Sequence, residues 1–142
     1  KIMATTTATL SLTSSDLLSG PLSVSASTTC MQAGTTTGLE KVEMGRGKVT
    51  VADGSKSLKL ATAAGDDGAT KVYLCNKATD PTYYIDVNIH DQRLGRLYAG
   101  DWLFMPWSQT DTVAELVMEA EGGSCEYEWA IFKEDETLVA AS

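Results

Sequence analysis

The chain has one histidine, His90, and three widely separated cysteines, Cys30, Cys75 and Cys125, among 142 residues. Acid–base or nucleophilic catalysis needs a proton acceptor poised near neutral pH. His90 sits on the polar side of an alternating segment beside Asp91, the setting of an ordinary exposed histidine. There is no Gly-x-Ser-x-Gly elbow, no phosphate-binding loop and no His-x-x-x-His pair. The cysteine spacing matches no zinc or redox motif, and one histidine cannot build a transition-metal site. The residues therefore point to a non-enzymatic protein with no catalytic residue, no cofactor and no metal. The cysteines read as reduced, buried small hydrophobes, and whether Cys75 and Cys125 meet is left open.

Basic charge is also scarce. Eleven Lys and Arg against nineteen Asp and Glu give a formal charge of −8. Phosphate binding draws most of its affinity from Lys and Arg, so nucleic acid is excluded as a partner. The densest basic group, Lys41, Arg46 and Lys48, is offset by Glu40 and Glu43. No run approaches the roughly 18–20 apolar residues of a membrane span. Lys1-Ile2-Met3 leads straight into Ala-Thr-Thr-Thr, unlike a signal peptide, so a start at Met3 and a processed product both fit. Helical periodicity is nowhere sustained for three turns.

What the chain has is alternation. Ala8, Leu10 and Leu12 alternate with Thr and Ser, as do Leu22, Val24 and Ala26, predicting strands over about 7–13 and from 22 onward. Ser14 to Leu18 reads as one capped helical turn, and 31–37 as a loop. Leu39–Met44 and Lys48–Ala52 flank Gly45-Arg46-Gly47, which reads as a hairpin connection. Asp53-Gly54 marks a turn before Leu58, Leu60 and Thr62. Strands follow over 71–77, 83–90 and 93–97, then Trp102–Trp107, apolar on both faces. Two more strands close the set, with Leu116, Met118 and Ala120 inward on one (Ala114 with them), and Cys125, Tyr127, Trp129 and Ile131 inward on the other. Short strands at roughly ten-residue spacing predict an all-β, single antiparallel β-sandwich or jelly-roll-like domain. Its parts are a Thr-rich arm or first strand over 1–15, the sandwich over 16–133 and a charged tail over 134–142.

Three groups of residues invite chemistry. Asp66 and Asp67 in Gly65–Gly68 suggest calcium, but the ligand spacing of a calcium loop is missing, so a solvated turn is the reading. Glu115, Glu119, Glu126 and Glu128 suggest paired carboxylates, yet their alternation with buried residues makes them the wet faces of two strands expected to lie edge to edge. Arg93, Arg96 or a neighbour's lysines would offset their charge. Trp102, Phe104 and Trp107, with Tyr83, Tyr84 and Tyr98 near, suggest either core and subunit contact or a sugar-stacking platform. Core plus subunit contact is preferred. A strand apolar on both faces needs two covers, the second sheet and either the N-terminal arm or another subunit.

The second half carries Lys71-Val-Tyr-Leu-Cys-Asn-Lys77, Tyr84-Ile-Asp-Val-Asn-Ile89, Leu94-Gly-Arg-Leu97, Ala99-Gly-Asp-Trp-Leu-Phe-Met-Pro-Trp107 and Glu126-Tyr-Glu-Trp129. This succession, over about residues 70–132, resembles a family of small β-sandwich virion proteins from tailed phages, chiefly those of aquatic bacteria. The resemblance implies a structural role, such as a capsid decoration or cement protein on the outside of a phage head, assembled in the host cytoplasm. It implies the major capsid protein or another virion protein as partner, and self-association, with a trimer favoured. Interface residues expected on this basis are Trp102, Phe104, Trp107, Leu10 and Leu12. A carbohydrate- or host-surface-binding module is the alternative.

Overall fold

A computed structural model describes residues 5–17, 20–31, 34, 36, 38–39, 41–58, 69–108 and 115–134. They form ten strands: β1 (Thr6–Ser14), β2 (Leu22–Cys30), β3 (Lys41–Val49), β4 (Lys56–Leu58), β5 (Ala69–Asn76), β6 (Tyr84–Ile89), β7 (Gln92–Tyr98), β8 (Trp102–Ser108), β9 (Leu116–Glu121) and β10 (Cys125–Lys133). Strands β3 to β10 make an all-β sandwich of two antiparallel sheets, ordered β3-β10-β5-β8 and β4-β9-β6-β7. The pairing is nested: β3 with β10, β4 with β9, β5 with β8, and β6 with β7. Strands β1 and β2 stand apart as a two-stranded ribbon.

The core follows from period-two alternation, which sends every second side chain to one face. Val72 and Leu74 of β5, Trp107 of β8, and Cys125, Tyr127 and Ile131 of β10 meet Ile85, Val87, Leu97, Leu116, Met118 and Ala120 of the other sheet. Each fully buried Leu, Ile or Met contributes roughly 1.5–3 kcal/mol. Ala114, Leu60, Thr62 and the Asp66-Asp67 loop lie outside the described residues. All three cysteines are free and buried.

Three expectations are corrected. Gly45-Arg46-Gly47 is no hairpin connection, because β3 runs unbroken from Lys41 to Val49. Its glycines lie opposite Trp129 and Tyr127 of β10, whose rings fold over the bare backbone. A Cβ on Gly47 would overlap the Tyr127 ring, and one on Gly45 would stand 3.3 Å from the Trp129 indole. Glycine inside a strand here marks a close approach, not a turn. The glutamates of β9 and β10 are not edge to edge either. Gly122-Gly123 carries the chain from one sheet to the other, which places them on different sheets. Finally, no helical turn forms over Ser14 to Leu17: Ser14 ends β1 and Ser15 to Leu17 are bends, although Ser14 Oγ does accept the Asp16 and Leu17 N–H groups at 3.4 and 3.1 Å; Leu18 lies outside the described residues.

On the outer face of the second sheet Asp86 is buried, held by Arg96 Nε at 3.1 Å and Arg93 at 3.4 Å. Residues three apart on a strand normally face opposite ways. Val87 pairs with Gly95 and Asn88 with Arg93, leaving Leu94 as an extra residue. That bulge turns both arginines to the same carboxylate. Arg96 also lies over the Tyr84 ring, 4.0 Å from its centroid, which adds a cation–π contact.

Candidate interface

Strand β8 is the edge of the first sheet, and its side chains divide by parity. Leu103, Met105 and Trp107 face the core, while Trp102 and Phe104 face outward. Pairing with β5 puts Phe104 opposite Tyr73 and Trp102 opposite Cys75. Pairing of β5 with β10 brings Phe132 to the same outer face. Phe104 and Phe132 meet edge to face, with centroids 6.2 Å apart. Val42 and Met44 extend this outer face onto β3, where both are exposed.

The β1–β2 ribbon lies over part of this surface. Its register sets Ala8 opposite Thr28, Leu10 opposite Ala26, and Leu12 opposite Val24, all on one face. The other face is hydroxyl throughout: Thr7, Thr9, Ser11 and Thr13 opposite Thr29, Ser27, Ser25 and Ser23. Thr9 and Ser27 share a hydrogen bond of 3.4 Å. Between ribbon and sheet runs an open cleft of about 620 Å³, bounded by Leu10 and Ala26 on one side and Tyr73, Trp102, Phe104 and Phe132 on the other. A second cleft, about 530 Å³, separates Leu10 and Leu12 from the β7–β8 corner.

The strand-end asparagine Asn76 fixes that corner. It is fully buried, donating from Nδ2 to the Leu97 carbonyl at 2.9 Å and accepting the Ala78 N–H at Oδ1, also at 2.9 Å. Its backbone receives Gly100 N–H at 2.8 Å and donates to the Asp101 carbonyl at 2.9 Å. Trp102 leaves the corner immediately after these bonds.

Electrostatics tie the cleft floor together. The Tyr73 hydroxyl donates to Glu128 Oε1 at 3.1 Å, and Arg46 to Glu128 Oε2 at 3.0 Å. The Tyr73 bond, then Arg46, holds the Glu128 carboxyl below its usual range. Burial pushes the Tyr73 phenol upward, and Cys75 and Glu128 add to that shift, so it stays a donor.

Leu10, Leu12, Trp102 and Phe104 thus line one cleft, and Leu10, Trp102 and Phe104 also line the larger one. Trp102 is 52% exposed, whereas Trp107 is 6% exposed and belongs to the core. This corrects the expected surface position of Trp107: parity along β8 sends it to the opposite side from Trp102. The second sheet covers one side of the doubly apolar strand, and on the other side Leu10 and Ala26 of the ribbon face it across the open cleft. Tyr73 and Phe132 were missed as cleft residues, although Tyr73 alternates with core-facing Val72 and Leu74. His90 is exposed in a left-handed turn (φ 57°), its N–H donating to the Glu115 carbonyl at 2.6 Å. Among the described residues no group of His, Cys, Asp and Glu is placed to hold a metal, and no helix is long and apolar enough to cross a membrane. No protein-family model, curated protein or solved structure matches the chain.

Proposed function

We propose that this protein is a virion structural subunit, a decoration or cement protein that strengthens a phage head by binding the capsid and copies of itself. The observation that carries this reading is the ribbon laid across the aromatic outer face of the first sheet, with apolar groups left open to a partner. Leu12, Val24, Val42, Met44 and Trp102 are all more than 40% exposed along this side. Large apolar exposure of this kind marks association surfaces. The nested strand order supports reading the sandwich as a jelly roll, an architecture that viral capsid and lectin domains use. Fold alone does not assign function, so the weight rests on the ribbon and on the sequence succession over 70–132.

Cryo-electron microscopy of the source particle tests the reading. Regular density on the capsid exterior that fits the sandwich is the expected result. Particles without such density, together with a protein that shows no affinity for them, would sink it. The second reading, a glycan-binding module, is favoured by Trp102, an exposed indole beside an open cleft. Glycan-array binding lost in Trp102→Ala, with the fold intact, would establish it. Trp107 offers no such platform.

A further inference from the structure

A β-strand edge with unpaired backbone groups invites another strand, and proteins guard such edges with charge, proline, bulges or short length. Four edges of the sandwich are guarded. Strand β3 carries Glu43, Arg46 and Lys48, and β4 carries Lys56. Strand β7 has Arg93, Arg96 and the bulge at Leu94, and β8 has Pro106. The ribbon differs. Strands β1 and β2 are nine residues each, pair without a break from Thr6↔Cys30 to Ser14↔Leu22, and contain no charge and no proline. Neither has a further strand partner among the described residues. Strand β2 is the more open of the two, with Ser23 to Thr29 all exposed.

Charge points to the occupant. Residues 4–39 hold one charged side chain, Asp16, and the whole net charge of −8 arises beyond residue 39. Two copies therefore repel through their sandwiches and meet least repulsion at their ribbons.

We propose that the free edge of β2 pairs antiparallel with β2 of a second copy, joining two ribbons into one four-stranded sheet. The proposal rests on the self-association in the functional reading and names the surface that performs it. A two-fold axis between antiparallel strands pairs even residues with even and odd with odd. Val24, Ala26 and Thr28 then continue the apolar face, while Ser23, Ser25, Ser27 and Thr29 continue the hydroxyl face. The result is a dimer, where the phage-family resemblance implies a trimer.

Light scattering on the full chain and hydrogen exchange across residues 22–30 test the pairing. The expected result is a dimer whose β2 amides are protected. Ser25→Lys with Ser27→Lys places four like charges across the joint on an exposed face. That variant is expected to be monomeric with unchanged circular dichroism and faster β2 exchange, while Ser25→Thr with Ser27→Thr stays dimeric. A wild-type monomer with freely exchanging β2, a trimer, or a dimer indifferent to the lysines would each overturn the proposal. Protection that appears only when particles are added would assign the edge to another virion protein, and overturn it too. A dimer that never binds particles defeats the cement reading and leaves the pairing; a monomer that decorates particles does the reverse.

Discussion

Gly45 and Gly47 show how a single missing Cβ shapes a sheet. Each bare position accepts a ring from β10, so the aromatic residues cover the strand instead of standing off it. Gly47→Ala is expected to cost about 1–3 kcal/mol in urea denaturation, the usual cost of overpacking, and Gly45→Ala less. The alternation of Tyr127 and Trp129 was legible as core. Their glycine partners were not, because Gly-x-Gly reads as a turn until the opposite strand is known. The carboxylates give a pH signature at the same scale. Tyr73 and Arg46 depress Glu128, while bonds from Thr50 and Thr82 depress Asp53 and Asp80. A depressed carboxyl contributes stability above its unfolded pKa and loses it as pH falls through the folded value. Thermal midpoints should therefore drop on acidification through and below the usual carboxylate range. Tyr73→Phe should shrink that drop, since it removes the largest influence on Glu128.

Strand β8 shows what an element adds. Its doubly apolar character was plain in Trp102–Trp107, and so was its need for two covers. Which tryptophan faces which cover depends on pairing with β5, and sequence alone does not give that parity. Trp107→Ala is expected to cost about 3–5 kcal/mol, as large core truncations do. Trp102→Ala should leave the denaturation midpoint nearly unchanged, because half of its surface is already in water. Equal losses at the two positions would contradict the assignment of sides. The Arg93 and Arg96 clamp on Asp86 was hidden for a similar reason. It depends on a one-residue bulge, for which Gly95 is the sole local hint.

At the scale of the whole molecule, the all-β sandwich was legible from strand spacing and alternation. The strand order was not, because β9 and β10 look like neighbours yet lie in different sheets. Among the described residues, only the ribbon and the β6–β7 hairpin join strands adjacent in the chain, and every other pair closes a longer loop. The last strand among the described residues, β10, occupies an interior place between β3 and β5. A chain ending before Cys125 leaves those two strands without a common partner and should show no cooperative unfolding transition. On the ribosome, then, the ribbon can zip up within microseconds of emerging, while the sandwich must wait for β10 and then close in milliseconds to seconds. For that interval the neighbouring nascent chains of a polysome carry transient ribbons on unfinished bodies, and the proposed pairing of β2 with β2 would hold such ribbons together before any sandwich has closed.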